Sequence, residues 1–378
     1  MTRADIERLS GEYRATEPLH GRLARALRVE VPVWRELGNE ILADLDEGVF
    51  GVGWWSPGPG TSRRILISDH LLSCVRSIET NLVEAQLHLL EAMDFWEREA
   101  DFYARSVSIN RGRRLELRPP ERRRPLEDLL GPTSTLHVVG FIRAIAGALD
   151  CFGASVVGVA ALKTRLLQAD LAKARQALAK VGGTTDGERT QVAFRERLEG
   201  AIEQAGPTGW LSWTIDLRNM LIHRGRRLQP IELRPIPSGI LQADGSPVVR
   251  TDVFHLLPRD PGRSEVEMFL DTDRAPVLTE SAAVTLRSVL ESTLRLLDEG
   301  GRLSLELWRQ RRQTPTLLTQ PRRQWPDGPS GATTGFPGYA PESIPYAPDH
   351  IRADPELLPR LRAASLGDAA VDAWANFD

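Results

Sequence analysis

Apolar residues return every three to four positions through most of the chain, the spacing of one face of an α-helix. The clearest run follows Ser68, a candidate N-cap, and lasts to about Ser106, with Leu71, Leu72, Val75, Ile78, Leu82, Leu89, Leu90 and Met93 in register. The next helix, roughly Thr133 to Leu167, is apolar almost all round ("LHVVGFIRAIAGALDCFGASVVGVAAL"), with only Arg143 and Asp150 interrupting its middle. A helix without a polar face is covered on every side, so this segment is expected at the centre of the fold. A charged, Ala-rich continuation (168–180) ends at Gly182-Gly183, and another helix is expected from about Glu188. Pro207 separates it from the helix that follows, and a last long helix runs from about Thr279 to Arg312, broken at Gly300-Gly301. Residues 2–47 have a looser helical pattern, interrupted at Pro18, Pro32 and Gly38.

Between 228 and 272 the period changes. "IELRPI", "PVVRTDVFHLL" and "SEVEMFL" are short β-type runs divided by turn chemistry in "ADGS" and "PRDPGRS". Residues 51–62 and the basic stretch 111–125 read as loops, and 313–378 as a proline-rich, aromatic-spotted tail that cannot build its own core. The expected fold is mainly α, a bundle of four or five long helices with a small β-hairpin insertion at 228–272. The expected organisation is an N-terminal helical extension and loop (1–62), the bundle (63–312) and the tail (313–378).

Composition narrows the function classes. At 41% hydrophobic and 26% charged, the 378 residues can build a sizeable core, and a net charge of −3 argues against a uniformly basic nucleic-acid coat. The two cysteines, Cys74 and Cys151, lie in apolar helical pattern and read as packing residues of a reducing cytoplasm, not as a disulfide or metal framework. No signal-like core opens the chain and no run approaches about 18 apolar residues, so no membrane span is expected. Phosphate loops, dinucleotide fingerprints, zinc-protease spacings and nucleophile elbows are missing, and the seven histidines form no cluster at ligand spacing. Chemistry without metal or cofactor, carried by side-chain acid–base groups, is what remains.

One stretch concentrates such groups. "DLRNMLIHRG" (216–225) sets Asp216, Arg218, Asn219 and His223 among Leu217, Met220, Leu221 and Ile222. Asn219 and His223 are four apart and share a face with Asp216 and Ser212. Arg218 lies about 140° from His223 at about 100° per residue, on the apolar side, where a guanidinium needs a carboxylate. Asp150 of the central helix is the candidate partner, so Arg218 reads either as a catalytic group or as a brace. Arg14 and His20, Arg64 and His70, and Arg250 and His255 have similar spacing. The first pair is interrupted by Pro18, the second runs from loop or strand-like chain into a helix start, and the third lies in β-type sequence.

"RNMLIH" late on a helix of an all-helical bundle resembles the signature of the HEPN superfamily, and "ALDCF" in the central helix is similar to helices of such proteins. The resemblance covers about 65–310 in architecture and is sharp only over 216–225. It implies a metal-independent endoribonuclease, cytoplasmic and homodimeric, in which the RNA 2′-hydroxyl attacks the adjacent phosphate. His223 would handle the proton, Arg218 the charge of the phosphorane and Asn219 a phosphate oxygen, with Asp150 and Asp216 in support. A toxin or antiviral role with an antitoxin or regulatory partner follows by analogy alone. The alternative is a non-catalytic HEPN-like module binding a partner protein, RNA or nucleotide. A related subgroup has a tyrosine two positions after the histidine that a partner enzyme modifies; Gly225 stands there, so that regulation is not implied.

Overall fold

Local sequence period translates directly into helix. The computed structural model describes residues 30–46, 61–109, 115–117, 127–223, 231–241, 247–270, 275–318 and 339. In chain order they form α1 (Pro32–Asp46), α2 (Thr61–Ser106), β1 (Val107–Ile109), β2 (Leu115–Leu117), α3 (Leu130–Val159), α4 (Leu171–Ala179) and α5 (Asp186–Ala205). There follow α6 (Trp210–His223), β3 (Ile231–Leu241), β4 (Pro247–His255), the short α7 (Glu265–Leu270) and α8 (Ala282–Gln313). The fold is mainly α, and among the described residues the strands make two antiparallel ladders, β1 with β2 and β3 with β4. Ile231 pairs with His255 and Glu232 with Phe254 at the open end of the second hairpin.

Two compact units divide the described chain. The first takes 79–148 and 202–296; its core includes Leu82, Leu89, Phe141, Ile145, Leu217, Met220, Leu257, Leu286 and Leu290, all buried. The second takes 31–78, 149–201 and the chain from 297; Trp34, Leu37, Ile78, Phe152, Leu178, Leu198 and Trp308 fill its core. There α1 is held on α8 by Trp34 Nε1 donating to the Leu297 carbonyl (2.8 Å) and Trp308 Nε1 donating to Asp44 (2.9 Å). Glu127–Val159 is long and apolar enough to cross a membrane by length and composition, yet 72% of its most apolar window is buried within the protein. It is a core helix, as its missing polar face requires.

Several boundaries differ from the sequence expectation, each for a readable reason. α2 begins at Thr61, ahead of Ser68, and α3 ends at Val159, short of Leu167. The end of α3 is a Schellman turn: Leu162 N donates to the Val157 carbonyl, Ala161 N to the Gly158 carbonyl, and Ala161 takes φ 51°. Buried Arg311 caps the same terminus, donating to the Gly158 and Val159 carbonyls at 3.0 and 2.5 Å. The 168–180 stretch is a separate helix, started by Asp170 accepting from Lys173 N (2.7 Å).

"SEVEMFL" is helix, not strand. Ser264 and Glu267 exchange hydrogen bonds as a capping box, Glu267 N to Ser264 Oγ (3.2 Å) and Ser264 N to Glu267 Oε2 (2.7 Å). Pro32 starts α1 instead of breaking it, since its missing N–H costs nothing in a first turn. Gly38 is passed without a break, and so are Gly300 and Gly301 in α8. A Cβ on Gly300 would come within 2.5 Å of the Phe152 ring, and one on Gly301 within 2.5 Å of Val33. These glycines let neighbouring helices approach; they do not punctuate. The 111–125 stretch contains a strand, β2, that the basic composition concealed. The aromatics of the tail fall outside the described residues except Tyr339, which is fully exposed.

Candidate functional site

The first unit carries the sequence-predicted residues on α6. Gly209, at φ 85°, turns the chain into this helix, and Trp210 Nε1 fixes its start by donating to the Ile202 carbonyl of α5 (3.1 Å). Leu211, Thr214, Leu217 and Met220 are buried along one side, and Thr214 Oγ1 satisfies itself on the Trp210 carbonyl at 2.8 Å. Positions 212, 216, 219 and 223 turn away from that side by helix geometry.

Asp216, Arg218 and Asn219 are half-buried, and the Arg218 Nε is shielded from solvent beside the buried Leu217. Part of the Arg218 side chain therefore lies on the sheltered side of the helix. α6 ends at His223; its side chain, and Arg224 and Gly225, lie outside the described residues. Asp150, the expected brace for Arg218, belongs to the second unit. Ile222, expected on the apolar side, is 41% exposed.

A loop directly after β4 backs this helix. Trp213 Nε1 donates to the Pro258 carbonyl (3.1 Å), and the Asp216 carboxylate lies against Gly262, where a Cβ would sit 3.3 Å from Oδ2. The loop itself is tied down by the Pro258–Val277 bridge and by Leu278 N donating to the Leu257 carbonyl (2.9 Å). Asp216 thus sits where it can set the loop against the motif helix.

Sequence reasoning missed the cluster at the foot of that loop. His255, the last residue of β4, is 6% exposed, stacks on Trp96 of α2 at 5.1 Å between ring centres, and holds Nε2 3.5 Å from Glu99 Oε2. Burial pushes the Glu99 carboxyl up to about 7 and the His255 imidazole down to about 4. Trp96 Nε1, Glu99 Oε2 and both His255 ring nitrogens make no hydrogen bond to protein atoms. The Arg250–His255 spacing was the only sequence signal for His255. Glu99 gave none, because a glutamate on a long helix ordinarily reads as part of a solvated face.

Histidines that are scattered in sequence meet elsewhere too. His88 of α2 and His137 of α3 place their Nδ1 atoms 3.0 Å apart, and burial holds His88 below the usual imidazole range. Among the described residues no group of three or more His, Cys, Asp or Glu has the arrangement of a metal site. No protein-family model, curated protein or solved structure matches the chain.

Proposed function

We propose that the chain is an endoribonuclease of the HEPN type that works as a homodimer and needs no metal. The observation that carries the proposal is Arg218-Asn219-x-x-x-His223 on the last turns of α6, a helix with one buried flank and one outward polar flank, in a mainly helical unit. Cleavage needs a proton carrier that titrates near neutrality, and imidazole is the side chain that does so unperturbed. His223 takes the proton of the RNA 2′-hydroxyl as that oxygen attacks phosphorus. The bond to the 5′-oxygen breaks, and a cyclic phosphate remains. Arg218 supplies fixed positive charge to the phosphorane, and Asn219 donates to a phosphate oxygen. The second copy of the motif comes from a symmetry-related chain across a two-fold axis, since one convincing copy is present.

The test is cleavage of bulk RNA in EDTA. His223→Ala is expected to abolish it while circular dichroism and sedimentation stay unchanged, because the last residue of a helix is a tolerant position. Asn219→Ala should lower the rate by about 10²–10³, the usual cost of a lost oxyanion donor. Cleavage that survives His223→Ala, or an active protein that sediments as a monomer at micromolar concentration, rejects the proposal. Absence of cleavage together with tight RNA binding would identify a binding module instead.

A further inference from the structure

Cys74 and Cys151 are the only cysteines in the chain. They lie on different helices, α2 and α3, and within the second unit their thiols share a hydrogen bond. Cys74 is buried and Cys151 half-buried, and both are reduced. His70, one turn before Cys74 on α2, brings Nε2 to 3.5 Å from Cys74 Sγ. Three features thus converge that packing alone does not demand. One cysteine is only half-buried, a second thiol is hydrogen-bonded to it, and an imidazole stands beside the second. The hydrogen bond from Cys74 favours the Cys151 thiolate and outweighs burial and the Asp150 charge, which oppose it.

We propose that Cys74 and Cys151 form a reversible dithiol–disulfide site oxidised by small hydroperoxides. Cys151 attacks the terminal oxygen of the hydroperoxide, the O–O bond breaks, and the products are a Cys151 sulfenic acid and, after protonation, an alcohol or water. Cys74 then attacks the Cys151 sulfur as His70 takes its proton. The S–O bond breaks, water leaves, and the disulfide joins α2 to α3. Two thiols lose two electrons and the hydroperoxide gains them. A dithiol reductant reverses the step by thiol–disulfide exchange. The order of attack follows from burial and from the imidazole, because Cys151 is the less buried of the two cysteines and Cys74 is the one beside His70.

The experiment treats the full-length protein with hydrogen peroxide and follows thiol count, intact mass and a non-reducing peptide map. The expected result is loss of both thiols, a mass lower by two hydrogen atoms, and one cross-linked peptide pair containing Cys74 and Cys151 in the same chain, all restored by dithiothreitol. Cys74→Ser should stop the reaction at a Cys151 sulfenic acid that dimedone traps. His70→Gln should slow disulfide closure without slowing formation of that sulfenic acid, a split that a merely structural histidine does not produce. Closure in the folded protein should outpace closure in urea. Retention of both thiols, separate oxidation to sulfinic acids, cross-linking only between chains, or equal rates folded and unfolded each overturn the proposal.

Discussion

In water the proton shared by a glutamate and a histidine rests on the imidazole; between Trp96 and the start of the β4 loop it rests on the carboxyl. That reversal follows from the two directions of shift, Glu99 raised to about 7 and His255 lowered to about 4, both by burial. The signs make a testable pattern. Alone, Glu99 withdraws stability as pH rises from 4.5 through 7, because the unfolded carboxylate ionises first. Alone, His255 withdraws stability as pH falls from 6.5 through 4, because the unfolded imidazole protonates first. Each slope is about 1.4 kcal/mol per pH unit at most, and between 4.5 and 6.5 they cancel. The pair in wild type is therefore expected to add little pH dependence in that window. Glu99→Gln should expose a loss of stability toward acid, and His255→Gln a loss toward neutral pH, both read from urea midpoints. Equal profiles in the three proteins would count against the buried pair. Helical spacing alone set Arg218 toward the apolar side of α6, and its Nε is shielded from solvent. The Glu99–His255 contact was not legible, because spacing along one helix carries no information about which strand end packs on it.

At the scale of elements, the apolar period located the long helices among the described residues and missed some of their ends, the start of α2 and the end of α3 above all. Caps and glycines decide ends, and the same residue type can stop a helix or let it pass. Gly300 shows how magnitudes settle such a case. Alanine there would gain about 1 kcal/mol of helix propensity. It would also push a methyl to 2.5 Å from Phe152, and overpacking of that kind costs about 1–3 kcal/mol. Gly300→Ala is accordingly expected to lower the urea midpoint despite its better propensity. The reverse holds at Ala161, which occupies the left-handed region with φ 51°. Ala161→Gly removes a strain of about 1–2 kcal/mol and concedes part of it to the more flexible unfolded chain, so a net gain of about 0.5–1 kcal/mol is expected in the same assay. "SEVEMFL" was misread although its Ser264 and Glu267 carry the capping-box spacing. Four apolar residues after a turn fit a strand equally well, and six residues are too few for period to arbitrate.

For the molecule as a whole, the mainly helical architecture and the β3–β4 hairpin were legible, since both rest on local patterns. The partition into two compact units was not, because it depends on which distant segments meet. The chain just after α8 belongs with the second unit: Leu318 is buried, its carbonyl accepts from Arg311 at 3.4 Å, and the Leu317 carbonyl lies against Gly187. A chain ended at 313 should therefore melt at a lower temperature than one ended at 318, and equal melting temperatures would mean that this contact adds nothing. The start of α4 points further. Main-chain atoms of Asp170 and Leu171 rest so closely on Gly153 that any Cβ there would collide with backbone, which has no rotamer to yield. In a saturation library, position 153 should admit glycine and nothing else, whatever activity is selected. A bare glycine in an apolar helix, followed at a fixed interval by an aspartate that opens a short helix, is then a fingerprint by which distant kin of this chain can be traced after every reactive side chain has drifted.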